Sequence, residues 1–340
     1  MKEFGSDFHY IDTYHSARTH LTDIYSNAVL LADGRQCIVA LIRQYEWKRI
    51  WMPEYFCYEV IDSIKVATSI DIAFYHDYPL STDDGDTISE IPFREGDVLF
   101  RVNYFGLREF RSNSNVPVPV IEDHTHDLLG HWALYSDADW CIASLRKSLP
   151  LPEGGMIWSP KGHILTAGIS RNVENEKVAA IRWEGMRMKA DYLNGIMNDK
   201  EAFRKRFLDT EGWFDHAEVS AIDWNSREYI ENFDINAWHV ARKRNWYQLH
   251  RLIDAECLLP QDDSCTPFSF VILTDNHTVR ECLRRKLIDK FVYPVVLWKV
   301  PDTADREVLD LSQRLLSIHC DGRYSDDNIH CMAGIINESL

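Results

Sequence analysis

Residues 118–155 constrain this chain more than any other stretch. An apolar, β-branched run over 118–122 reads as a strand that carries Asp123 to its C-terminal end. A second apolar run over 140–143 carries Ser144 and then Lys147, and Glu153-Gly154-Gly155 follows. Further short runs at 49–52, 70–75 and 98–103 have the same character, with a helical pattern over 58–65 between them. Such alternation predicts a mainly parallel sheet covered on both faces. Ligands of these sheets bind beyond the carboxyl ends of the strands, where Asn103, Asp123 and Ser144 fall.

An acid and a lysine at neighbouring strand ends suit pyridoxal 5'-phosphate (PLP). The lysine amine condenses with the cofactor's aldehyde, and the carboxylate keeps the pyridine nitrogen protonated by opposite charge. The same lysine can later move the proton that transamination requires. Taken singly, an Asp after a strand is commonly a turn or cap residue, and a Lys there is commonly a solvated charge. The pairing, followed by Gly-Gly, is what carries the reading.

A phosphate site is expected near residue 34. Gly34 stands where a helix begins, because Ile38, Leu41 and Ile42 recur at helical spacing after it. A helix start offers unpaired N–H groups to an anion, glycine permits close approach, and Arg35 adds charge. Asp-Gly before such a helix is equally an ordinary cap.

Gly-Arg at a helix start, Asp-x-x-His after a strand, Ser-Leu-Arg-Lys and Glu-Gly-Gly together resemble the DegT-type sugar aminotransferases, PLP enzymes of the aspartate-aminotransferase fold. The resemblance implies a three-layer α/β large domain over 1–240 and a smaller α+β domain over 241–340. Lys147 would hold the cofactor and Asp123 would face its pyridine nitrogen, with His126 near the ring hydroxyl. Gly34, Arg35 and Gln36 would bind the phosphate through the backbone, and Ser144 would match the phosphate-binding serine. The turn at 53–57 matches the one that stacks a side chain on the ring; counting places Cys57 there, with Phe56 or Tyr58 as substitutes. The sequence departs from the pattern in two ways. Ser144 lies three residues before the lysine, where the family has five, and the family's Asn-Tyr-Arg segment has only a faint counterpart at 223–225.

The resemblance also implies a homodimer that moves an amino group from an amino acid, glutamate being the expected donor, to a keto acceptor such as a nucleotide-linked keto-sugar. Lyase or dehydratase chemistry on the same cofactor and a catalytically inert relative are the alternatives. A more remote one is a metal-dependent hydrolase using Asp123, His124 and His126, since imidazole and carboxylate suit zinc or iron.

Composition narrows the partners. A net charge of −16 argues against nucleic acid. No apolar window is long enough to span a membrane, the N-terminus lacks a signal-peptide core, and the eight cysteines form no Cys-x-x-Cys pair. A cytoplasmic protein with reduced thiols is expected. Beyond Gly155, helices are expected over 175–195, 201–208, 227–254 (one long helix or a pair), 276–289, 306–316 and 326–336, and strands over 267–274 and 295–300. The basic run at 242–244 reads as a solvated face, and Arg323 as a surface turn residue or a clamp for a substrate carboxylate.

Overall fold

Period-two alternation along the central strands builds two cores, one on each face of a single sheet. The structure, a computed structural model, describes residues 3–12, 19–81, 85–166, 168–216 and 218–340. Its strands are β1 (Phe4–Gly5), β2 (Val29–Leu31), β3 (Arg49–Pro53), β4 (Asp71–Tyr75), β5 (Asp97–Val102), β6 (Val120–Asp123), β7 (Trp140–Ser144), β8 (Gly155–Trp158), β9 (Ser269–Leu273), β10 (Val292–Tyr293) and β11 (Leu315–His319). Seven form the main sheet in the order β2-β8-β7-β6-β5-β3-β4. Strands β3 to β7 run parallel, and β8 lies antiparallel between β7 and β2.

Val98, Phe100, Val102, Ile121, Ile142 and Ile157 point to the first face. Leu99, Val120, Cys141, Ala143, Met156 and Trp158 point to the second. The helices Gly34–Tyr45 and Tyr58–Ala67 cover the first face with Ile38, Leu41, Ile42, Ile61 and Ile64. Val173–Leu193 and Lys200–Glu211 cover the second with Trp183, Met186, Phe203 and Phe207. Each such side chain contributes about 1.5–3 kcal/mol on burial. The expected three-layer α/β architecture is therefore present, and the parallel strands all end on one edge.

The C-terminal part has its own core. Strands β9 and β11 pair antiparallel, and the helices His277–Asp289 and Asp326–Asn337 add Leu283, Leu287, Ile329 and Met332. The N-terminal segment joins it, because β1 pairs with β10 and Phe4 is buried there.

Several expected elements differ. Residues 295–300 do not form a strand; Val295 makes a single bridge to Ser317. The helix expected over 306–316 is Arg306–Arg314, and Leu315 already begins β11. Of the long helix or helix pair expected over 227–254, the pair is found, Trp224–Asn232 and Ile235–Leu252, with the Asp234 carboxylate capping the second. Arg242, expected on a solvated face, is buried, with a guanidinium nitrogen 3.4 Å from the Thr266 carbonyl and 3.7 Å from Asp127. The Arg323 side chain is also buried, its fork taken by the Asp321 carboxylate at 2.8 and 3.0 Å.

Candidate active site

The carboxyl edges of β6 and β7 bring the two strand-end residues to one place. Asp123 is the last residue of β6. β7 ends at Ser144 and passes directly into the short helix Leu145–Ser148, which carries Lys147. Asp123, Ser144, Arg146, Lys147, Gly34 and Arg35 line one small cavity. Arg146 and Lys147 also line an adjoining cavity of ≈330 Å³, the size of a small-molecule site.

Thr125 ties the parts together. Its N–H donates to Asp123 Oδ1 at 2.8 Å, and its hydroxyl oxygen accepts from Ser144 N–H at 2.8 Å. Its carbonyl accepts a short bond from the Ser148 hydroxyl. One residue thus orients the acid and fixes both ends of the helix that bears Lys147. Burial pushes the Asp123 carboxyl up from its ordinary value, while the Thr125 hydrogen bonds and the Lys147 charge pull it down.

The Glu-Gly-Gly segment has a structural task. Gly154 N–H donates to the Ala32 carbonyl at 2.7 Å, and the Gly154 carbonyl accepts from Leu145 N–H at 2.8 Å. A Cβ on Gly155 would lie 2.3 Å from the Asp33 carbonyl oxygen. The pair therefore clamps the start of helix Gly34–Tyr45 against the lysine helix. Glu153 is buried and accepts from Asp223 N–H at 2.6 Å and from Asn175 Nδ2 at 2.8 Å.

At the start of helix Gly34–Tyr45, where the phosphate is expected, the Ser144 hydroxyl is buried without a partner. It faces the first turn of helix Gly34–Tyr45, where a Cβ on Gly34 would come within 2.7 Å of Ser144 Cβ. An orphaned hydroxyl beside a helix start with no room for a side chain fits a cofactor phosphate. The cup also holds an acid. Asp33 caps the helix, accepting from Arg35 N–H at 3.3 Å and from Arg146 Nε at 3.2 Å. Arg35 turns to Asp215 and Glu59, and Arg146 also reaches Glu211.

The other expected residues fall as follows. His126 lines the larger cavity. Its Nδ1 accepts from Phe105 N–H at 3.0 Å, and its ring lies nearly parallel to those of Phe105 and Trp298. Burial, then the charges of Lys147 and Arg242, hold its pKa well below the ordinary range. A neutral ring with Nδ1 accepting carries its proton on Nε2. Gln36 lies in the first turn of helix Gly34–Tyr45, and its side-chain oxygen accepts from Ser220 N–H at 2.9 Å. Cys57 precedes helix Tyr58–Ala67 as its cap, and Phe56 packs on Phe100 and Trp298. Neither is among the residues lining the two cavities; Val60 of the same helix is. The aromatic ring beside the lysine is Trp298, whose centroid lies 5.8 Å from Lys147 Nζ. It comes from a distant segment, and no local pattern marks it.

The metal set Asp123, His124 and His126 is not brought together. Strand alternation turns His124 to the opposite face of the sheet from Asp123, where its Nε2 lies 3.0 Å from Glu122. His126 Nδ1 is already taken.

No protein-family model matches the sequence, and no curated protein matches it. Solved structures do. PseC of Helicobacter pylori, an aminotransferase involved in the biosynthesis of pseudoaminic acid, is 13% identical, with 99% of each chain covered and a TM-score of 0.64. The aminotransferase TlmJ of Streptoalloteichus hindustanus is 13% identical over 94% of this chain and 88% of that one, with a TM-score of 0.63. A DegT DnrJ EryC1 StrS aminotransferase from Brucella abortus is 13% identical over 94% and 87%, with a TM-score of 0.58. The chain has the aminotransferase fold. At this identity the likeness is one of fold, and the residues of the site must carry the chemistry. Among the described residues no helix is long and apolar enough to cross a membrane.

Proposed function

We propose that this protein is a PLP-dependent aminotransferase of the DegT type. The observation that carries the reading is Asp123 and Lys147 lining one cavity at adjacent strand ends, both fixed by Thr125. When bound, PLP supplies an electron sink that makes a proton on the neighbouring substrate carbon removable. Asp123 would hold a proton at the pyridine nitrogen. Ser144 and the N–H groups at Gly34, Arg35 and Gln36 would hold the phosphate, with the Arg35 N–H and Arg146 shared with Asp33. The His126 Nε2–H points the ring's one remaining donor away from Phe105 and is suited to an acceptor oxygen.

Lys147 supplies a primary amine where the two cavities meet, and such an amine can take up a proton and return it. The larger cavity beside it is lined by apolar Phe8, Leu151, Met186, Phe207 and Phe268 and by the charged Asp7, Arg146, Arg182 and Arg323, so it can take a substrate with both apolar and anionic parts. A glutamate donor, a nucleotide-linked keto-sugar acceptor, a homodimer and a cytoplasmic setting belong to the same reading and rest on the family resemblance. A division near residue 240 is supported by packing within helix Ile235–Leu252: Trp238 joins the core of the second sheet face, and Trp246 and Leu249 join the C-terminal core.

The test is amino-donor turnover. Protein reconstituted with PLP and given glutamate should release 2-oxoglutarate in proportion to the cofactor bound. Stoichiometric PLP with no keto acid from any common amino acid would favour lyase chemistry or an inert relative.

A further inference from the structure

Arg182, on helix Val173–Leu193, is a buried cation with one arm unspent. It is 4% exposed. Its Nε donates to the Pro152 carbonyl at 2.8 Å, and its Nη1 donates to Thr210 Oγ1 at 3.2 Å and to Glu211 Oε2 at 3.0 Å. The guanidinium lies against the rings of Phe207 and Phe214, 5.4 and 5.5 Å from their centroids. These contacts fix its plane. Its Nη2 bonds to none of the described residues, and Arg182 lines the larger cavity together with Lys147. A guanidinium keeps its charge in such a place, and a fixed, charged donor without a partner calls for an acceptor from a ligand.

A second polar group of the same cavity is unmatched: His319 Nε2 is buried without a partner. Arg323 is not available, because its fork is spent on Asp321 and on the Ser6 and Asp7 carbonyls. Charge decides what kind of anion fits. Outside the phosphate cup, Arg182 and Lys147 stand against Glu211 and Asp7. Asp7 is exposed, and its carboxylate, as distinct from its carbonyl, makes no hydrogen bond among the described residues, yet its charge acts on Arg182. One carboxylate that takes the place of Asp7 leaves the balance unchanged, whereas a diphosphate adds charge that nothing offsets. The cavity, at ≈330 Å³, also lies at the small end of small-molecule sites.

We infer that Arg182 selects the substrate: its Nη2 takes a carboxylate, and the apolar walls at Met186, Phe207 and Phe268 take a compact hydrocarbon or aromatic body. The amino-group acceptor is then a keto acid held whole in the cavity, in place of the nucleotide-linked sugar that the family resemblance implies. This assignment rests on the aminotransferase reading of the site. Arg182 touches neither cofactor nor reacting carbon in it; it fixes the remote end of the molecule beside Lys147.

The test is calorimetric titration of the full chain, with and without PLP, using 3-phenylpropionate and its neutral amide; with PLP bound, uridine diphosphate is added as a third ligand. The acid should bind about tenfold more tightly than the amide or the diphosphate, as a hydrogen bond to a charged group warrants. Arg182→Met should erase the preference for acid over amide, and Arg182→Lys should keep part of it. Asp7→Asn should tighten binding of the acid about threefold and leave the amide unchanged. Equal binding of acid and amide, tighter binding of the diphosphate, or a preference that survives Arg182→Met overturns the inference. Should Arg182→Met fail to fold, Asp7→Asn decides: an unchanged affinity for the acid removes the subsite. Failure of the aminotransferase reading shows separately, as a chain that takes up no PLP, and the titration without PLP still reads the acid preference.

Discussion

Gly34 and Ser144 meet so closely that the smallest side chain at position 34 would sit 2.7 Å from Ser144 Cβ. Two segments far apart in sequence thereby form one cup, with backbone on one side and an unpaired hydroxyl on the other. Gly34→Ala must push them apart. We expect PLP affinity to fall at least tenfold, read by titration of the cofactor's absorbance. Destabilisation should be of the order of 1–3 kcal/mol by chemical denaturation, as for overpacked sites. Unchanged affinity would remove the cup from the phosphate site.

Thr125→Val keeps the shape and deletes the hydroxyl. The Ser144 N–H then loses its acceptor in a buried setting, at a cost of about 1–3 kcal/mol. Asp123 keeps the backbone bond but loses part of its orientation. Turnover with glutamate should drop about tenfold to a hundredfold, with a smaller change in cofactor affinity. A purely structural residue would change stability and leave turnover per bound cofactor intact.

Asp33 is the residue most at odds with a phosphate cup, because its carboxylate draws on the same Arg35 N–H and Arg146 donors. Asp33→Asn still caps the helix while removing the competing charge. PLP should bind several-fold more tightly in this variant near neutral pH. Weaker binding would mean that Asp33 organises Arg146 for the phosphate and does not compete with it.

Acid stability should depend on His319 and His9. Burial, then the charge of Arg323 and that of Lys189, lower each from 6.5 to about 4, and Asp321 opposes this. In the folded state both are neutral through that window, whereas the unfolded chain binds protons below 6.5. Stability is therefore full above pH 6.5 and lost as pH falls toward 4. His319→Asn should flatten that slope, recovering about 2 kcal/mol of relative stability at the acid end. Denaturation midpoints at pH 7, 5.5 and 4 measure it; parallel curves for variant and wild type would contradict the assignment.

How much of this was legible in the sequence depends on locality. Strands β3 to β7 were readable because short β-branched runs ended in recognisable punctuation, and Asp123 and Lys147 followed from those ends. Strand β8 was hidden behind Gly154-Gly155, where the glycines spoke for a cofactor motif and not for the strand that they open. Strand β11 was absorbed into a helix because Leu315 and Leu316 continue the spacing of Val308 and Leu311. Thr125, between two histidines, carries no signal of its own in the sequence, since only the folded loop shows its three bonds. Trp298 carries no local signal: it reaches Lys147 through tertiary packing alone. The Gln36 side chain likewise gives no local sign of its partner, the Ser220 N–H.

The central claim is that the Lys147 amine and the Asp123 carboxyl act on one bound PLP. The most direct measurement is the visible absorption of protein reconstituted with PLP and dialysed, compared among wild type, Lys147→Ala and Asp123→Asn. The account predicts a band in the wild type that Lys147→Ala abolishes while its far-UV circular dichroism is unchanged. It predicts that Asp123→Asn retains a band but loses turnover by orders of magnitude. An identical band in Lys147→Ala, or near-normal turnover in Asp123→Asn, would contradict it.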